Sequence, residues 1–201
     1  MYERIERITV VLLIFIFISI NFIQVNPVRN LGLLRLVLGI SNGVNAENYK
    51  SEEANMRLTS PEFNNNGFIP KKFTCEGEDI NPALIIEEIP AGAKSLALIV
   101  DDPDAPMGTW VHWVVYNIPI ISRIDEDSIP GEQGINDFGR KDYGGPCPPS
   151  GTHRYFFKIY CLDAELNLKA GLSKQELEKA MQGHILQKAE LVGLYKKTTA
   201  Y

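Results

Sequence analysis

Two stretches of this chain bring together residue types that exchange protons. The first, Asp101-Asp102-Pro103-Asp104-Ala105-Pro106-Met107-Gly108-Thr109-Trp110-Val111-His112-Trp113, sets a carboxylate before a proline and a histidine ten residues later. Proline pushes the preceding residue toward extended backbone, so Asp102 is expected to project from a strand end. The second, Gly144-Gly145-Pro146-Cys147-Pro148-Pro149-Ser150-Gly151-Thr152-His153-Arg154-Tyr155, puts His153 and Tyr155 two residues apart, on one side of a strand. Gly144 and Gly145 tolerate unusual backbone angles, so the loop is expected to turn N–H groups toward a ligand. An aspartate that accepts the proton of one imidazole nitrogen fixes the tautomer and leaves the other nitrogen to donate. Two histidines, a tyrosine hydroxyl and loop N–H groups then suit an anion such as phosphate. The same residues admit other chemistry. Cys147 with His112 or His153 and Asp102 has the ingredients of a thiol hydrolase, and Asp102, His112 and His153 those of a metal hydrolase. Cys147 sits between prolines rather than at a helix N-terminus that would lower its pKa. No C-x-x-C or H-x-x-x-H spacing for structural zinc occurs.

Short β-prone runs carry these residues. Residues 95–101, 111–118 and 153–162 are rich in Val, Ile, Tyr, Phe or Trp, and Pro/Gly loops separate them. That profile predicts an antiparallel sandwich with functional loops at one end. Asp102 and His112 flank a loop between neighbouring strands, which should bring them together at one sheet end. One helix is predicted over 174–182: Ser173 and Glu176 form a capping box, Leu177, Ala180 and Met181 an apolar stripe, and Gly183 a stop. Residues 185–195 either continue that helix or form a last strand. Gly183, Val192 and Gly193 favour the strand. His184 reads as structural.

The first 46 residues differ from the rest. Residues 8–23 form an apolar run of 16, short for a span of about 20. A second apolar stretch, 31–40, is interrupted by Arg35, and Val44 and Ala46 fit the small-residue pattern before a signal-peptidase cut. Residues 1–46 therefore read as a signal peptide or membrane anchor, 47–55 as a linker and 56–201 as the domain. Either fate of the N-terminal segment puts the domain outside the cytoplasm. The 155 residues after Ala46 are enough to bury a core. They hold 16 Lys and Arg against 23 Asp and Glu, a net of −7, which argues against nucleic acid and anionic membrane surfaces as partners. Three cysteines allow one pair and one thiol. Cys161 lies in an apolar run and reads as core, and a disulfide between Cys75 and Cys147 is an open alternative in an oxidising compartment.

The two motif regions in this order resemble the signature regions of the phosphatidylethanolamine-binding protein family, most closely its bacterial and archaeal branch labelled Raf-kinase-inhibitor-like. The resemblance runs from about Met56 to Tyr195. It implies a mostly β fold, a two-sheet antiparallel Greek-key sandwich with one or two short helices, and a small pocket at one end that needs no cofactor or metal. Carried over by position, Asp102, His112, His153 and Tyr155 line that pocket, Gly145 and Cys147 supply loop backbone, and Asp104 and Arg154 brace the loops. The chain departs from the mammalian pattern in a shorter loop before His153 and an end six residues after Tyr195. On the resemblance, no C-terminal helix then covers the pocket, which would be open enough for a peptide or a dimer partner. The expected function is a non-enzymatic binding module for phosphate or phosphorylated headgroups that modulates or inhibits another protein. The resemblance also allows a protease inhibitor and a homodimer.

Overall fold

A computed structural model of the chain describes residues 55–198. The N-terminal apolar segment, and all of the linker but its last residue, lie outside the described residues. Within them no helix is long and apolar enough to cross a membrane.

Among the described residues nine strands and one α-helix follow in order: β1 (Arg57–Thr59), β2 (Gly67–Phe68), β3 (Leu84–Glu87), β4 (Ser95–Asp102), β5 (Trp110–Ile118), β6 (Arg123–Ile124), β7 (Glu132–Gln133), β8 (His153–Leu162), α1 (Lys174–Met181) and β9 (Ile185–Tyr195). A 3-10 turn at Lys71–Phe73 is a minor helical element beside α1. The strands make a three-stranded sheet, β1-β3-β6, and a six-stranded sheet, β2-β9-β8-β4-β5-β7. β8 returns beside β4 after β5 and β7, which gives the Greek-key order β8-β4-β5-β7. β6 leaves that path to join the smaller sheet. The expectation of a wholly antiparallel sandwich needs one correction. β2 pairs parallel with β9, through Gly67 opposite Gly193 and Phe68 opposite Leu194.

Strand alternation divides the apolar side chains between two cores. From β4, Leu96, Leu98 and Val100 enter the core between the sheets, with Trp113, Val115, Tyr155 and Phe157. Ala97 and Ile99 enter the core under α1, with Val114, Tyr116, Leu177 and Met181. β4 is therefore buried on both faces along its whole length, as its unbroken apolar run requires. Cys161 is a free, buried thiol of the inter-sheet core. The capping box of α1 forms as expected: Ser173 Oγ accepts from Glu176 N–H, and the Glu176 carboxylate accepts from Ser173 N–H. The helix stops at Met181, one residue short of the predicted end, and Gly183 takes a left-handed φ of 82°.

The last two residues of β4 face opposite ways. Asp102 turns to the inter-sheet side, whereas Asp101 is fully buried under α1 and meets two lysines. Lys158 of β8 lies 2.7 Å from Asp101 Oδ1, and Lys174, the first residue of α1, lies 2.6 Å from Oδ2. A buried carboxylate is tolerated only when it is paired and hydrogen-bonded, and this one ties helix, β8 and β4 together beside the strand end. Removing it would leave two partly buried ammonium groups facing each other. Asp101→Ala is expected to destabilise the domain by about 3 kcal/mol, read as a lowered urea midpoint at unchanged slope.

Candidate functional site

A cavity of about 270 Å³ opens where β4, β5 and β8 end, and Asp102, His112, Cys147, His153 and Tyr155 all line it. Asp102 ends β4 in the extended conformation that Pro103 favours. It is almost fully buried, and both its oxygens are occupied. Oδ2 accepts from His153 Nδ1 at 2.7 Å, and Oδ1 accepts from the Asp104 N–H at 2.8 Å. His153, the first residue of β8, is thereby oriented through Nδ1 and keeps Nε2 free. The partner of Asp102 is thus the distant histidine of β8, not the histidine across the connecting loop.

His112 reaches the cavity through a β-bulge. In the β4–β5 ladder Val100 faces Trp113 and Asp101 faces Val111, so His112 is the extra residue. Regular alternation would turn His112 away from the side that Trp113 faces. The bulge instead puts His112 and Trp113 on the same side, with the His112 ring edge-on to Tyr155 at 5.1 Å. The loop 136–144 holds the irregularity. Val111 N–H donates to Asp137 Oδ2 at 2.7 Å, and the His112 carbonyl accepts from Gly144 N–H and Asn136 Nδ2. His112 Nδ1 donates to the Gly144 carbonyl at 2.5 Å, which places its proton on Nδ1 and leaves Nε2 as an acceptor. Burial pushes the His112 pKa below the ordinary 6.5, against the Gly144 bond and the Asp102 charge, which raise it.

The Tyr155 hydroxyl is the one buried side-chain polar atom among the described residues without a hydrogen-bond partner. It faces the Asp102 carboxylate and the Cys147 amide, but neither contact has hydrogen-bond geometry. Burial first, and the Asp102 charge second, raise its pKa far above the ordinary 10, so it is a permanent donor.

One expectation about the second motif is overturned and one open alternative closes. Gly144 and Gly145 do not present N–H groups to the cavity, because Gly144 N–H donates to the His112 carbonyl and Gly145 N–H to Asp79 Oδ1 at 2.7 Å. They are glycines because space is short: a Cβ on Gly145 would lie 2.6 Å from Asp79 Oδ1 and from the Phe73 carbonyl. Cys147 offers no free thiol, since it forms a disulfide with Cys75, and the thiol-hydrolase reading loses its nucleophile. Asp104 and Arg154 sit outside the cavity and join the two motif loops. Arg154 donates through Nε and Nη2 to the two oxygens of Asp104, at 2.9 and 2.7 Å, and its backbone N–H bonds the same carboxylate. The Arg154 hydrogen bond is the main cause that lowers the Asp104 pKa to about 2. Among the described residues no group of three or more His, Cys, Asp or Glu side chains is placed to hold a metal ion.

Residue reasoning missed the apolar wall. Trp110, Phe138, Met107 and Pro148 line the cavity, and Trp110 packs edge-on against Phe138 at 5.4 Å. Trp110 lay within the first motif. Phe138 comes from a loop with no chemical signature. Asp79, which anchors Gly145, also gave no local sign.

This arrangement can be set against known proteins. The family model described as phosphatidylethanolamine-binding protein matches residues 59–196. The chain belongs to the phosphatidylethanolamine-binding protein family. Its relatives include a UPF0098 protein of Pyrococcus horikoshii, 56% identical over 158 residues that cover 73% of this chain and 79% of the relative. A UPF0098 protein of Methanothermobacter thermautotrophicus is 49% identical, over 71% of this chain and 99% of its own. Two crystal structures share the fold. A family homologue from Chlamydia trachomatis is 45% identical with a TM-score of 0.69, covering 71% of this chain and 98% of its own. The Escherichia coli protein YbcL, described as a new member of the mammalian family, is 30% identical with a TM-score of 0.67, over 72% of this chain and 100% of its own.

Two predictions follow from how this family member builds His112. Gly145→Ala drives a Cβ into the Phe73 and Thr74 backbone and against the Asp79 carboxylate and should cost about 2 kcal/mol, with displaced His112 ring signals in NMR spectra. The depressed His112 pKa carries a pH signature of its own. The unfolded chain takes up a proton near pH 6.5 that the folded chain refuses, so stability is complete above that value and falls as pH drops toward the lower folded pKa. Replacing His112 with Asn should flatten this slope between pH 6.5 and 5 in denaturant titrations.

Proposed function

We propose that this chain is a non-enzymatic binding module whose pocket takes a small anion, phosphate or the phosphoryl group of a headgroup, in a state that carries its own proton. The observation that carries the reading is the Tyr155 hydroxyl, buried and unpartnered beside the Asp102–His153 pair. Native proteins rarely leave such a donor unpaired, and a ligand acceptor oxygen in the cavity would complete it. His153 Nε2 is the second polar group, and the acceptor His112 Nε2 the third. No Lys or Arg lines the cavity, so a doubly charged anion would meet the Asp102 carboxylate without a compensating cation. A monoanion avoids that repulsion in two ways. Its own proton can donate to His112 Nε2, and its charge favours protonation of an imidazole.

The module acts outside the cytoplasm on this reading. Its disulfide has an exposed half at Cys75, which suits an oxidising compartment. The apolar mouth, with Met107 94% and Phe138 40% exposed, gives a modulated protein partner a surface to cover while the pocket is filled.

Anion binding that requires protonated groups strengthens as pH falls. Calorimetry with inorganic phosphate is expected to show at least fivefold tighter binding at pH 6 than at pH 8, and no binding to His153→Ala. Equal affinity at the two pH values would sink the reading.

A further inference from the structure

Cys147 occupies an unusual place, because its side chain is both cavity lining and half of a cross-link to Cys75. We propose that the Cys75–Cys147 disulfide is a positioning element of the pocket, so that its reduction by a dithiol loosens the pocket wall and releases the ligand. The proposal rests on the anion reading of the site and goes beyond it by naming what holds the wall in place.

Upstream of Cys147 the second motif is tied down well. Tyr143 Oη donates to the Phe73 carbonyl, Gly144 N–H to His112 and Gly145 N–H to Asp79. Downstream the ties stop. Pro148 and Pro149 have no N–H, and Ser150, Gly151 and Thr152 make no hydrogen bond among the described residues. The next anchors are His153, paired with Asp102, and Arg154, paired with Asp104. The wall from Cys147 to Thr152 is therefore a span fixed by the disulfide at one end and by the start of β8 at the other. Without the disulfide its near end is held by one hydrogen bond, from Cys75 N–H to the Pro146 carbonyl at 3.2 Å. The Cys147 amide, which faces the Tyr155 hydroxyl, would lose its fixed place in the site.

The exchange is open to solvent. Cys75 is exposed and Cys147 half-buried, so a dithiol thiolate can attack the Cys75 sulfur and expel the Cys147 sulfur into the wall. Closure of the reductant's own disulfide on the resulting mixed disulfide then frees Cys75. Two electrons and two protons pass from the dithiol to the two cysteines, and the reductant leaves as a cyclic disulfide. Linkage makes the effect reciprocal: a ligand that prefers the fixed wall must protect the disulfide by the same factor as reduction weakens its binding.

The full-length protein should be titrated with inorganic phosphate, oxidised and after dithiothreitol, in parallel with Cys75→Ser. At least tenfold weaker binding in both altered forms is expected, with far-UV circular dichroism unchanged and phosphate slowing the reduction of the oxidised protein. Affinities within twofold of each other would overturn the proposal. So would loss of the β spectrum on reduction, because the disulfide would then hold the fold and not the wall. If the oxidised protein binds no phosphate, the anion reading fails by itself. The wall is then judged by amide exchange at Cys75 and Gly145, where acceleration on reduction supports the positioning role and unchanged exchange refutes it.

Discussion

The hydrogen bond from His153 to Asp102 joins the ends of the two central strands of the large sheet, and much of the surrounding structure exists to make it tolerable. A carboxylate and an imidazole withdrawn from water together lose hydration that their mutual attraction alone does not recover. The remainder comes from the backbone. Asp104 N–H satisfies the second Asp102 oxygen, a bond that the turn after Pro103 makes available. Asp104 is itself fixed by the fork of Arg154, the residue after His153. The two motifs thus hold each other through two successive residue pairs, one inside the cavity and one at its rim. On the other face of β4, Asp101 and its two lysines keep the same strand end against α1. Adjacent aspartates anchor the strand in opposite directions, and the position of Asp102 is over-determined.

His112 is held by a different device. It depends on an irregularity, and an irregular strand is stable only where its broken ladder is repaired. Asp137 and Asn136 do this by supplying side-chain bonds to Val111 and to the His112 carbonyl, in place of a neighbouring strand. Gly144 closes the unit from the other side, since its N–H and its carbonyl both bond His112. One histidine is therefore oriented by a carboxylate and the other by a carbonyl. The carbonyl partner adds no charge to hold a second proton, and burial then keeps His112 neutral.

The strands and the helix were legible in the sequence because their causes are local. β-branched and aromatic runs between Pro/Gly loops located β4, β5 and β8 to within a residue, and Ser173 with Glu176 marked the start of α1. The same local logic brought Asp102, His112, His153 and Tyr155 toward one sheet end. What it missed depends on distant partners. Alternation cannot reveal a bulge, so the way His112 turns inward was hidden, as was the choice of His153 over His112 as the partner of Asp102. Gly144 and Gly145 suggested free N–H groups by composition, yet Asp79, 66 residues away from Gly145 in sequence, consumes one of them. The cysteines allowed a pairing of Cys75 with Cys147 without requiring it. Phe138 shapes the cavity by packing on Trp110 and His112, and an aromatic residue in a loop announces nothing of the kind.

The charge of the domain bears on how its pocket can discriminate. With a net of −7 over residues 47–201, the long-range field repels small anions and gives no electrostatic steering toward the site. The lining adds no Lys or Arg to reverse that. On the proposed reading attraction is then short-ranged and comes from matched hydrogen-bond polarity: the Tyr155 hydroxyl, His112 Nε2 held as an acceptor, and the free His153 Nε2. If the pocket takes an anion as proposed, such a site reads the proton count of its ligand more than its charge. A wall of Trp110, Phe138 and Pro148 strengthens that selection, because hydrogen bonds made away from bulk water are stronger and mismatched ones more costly.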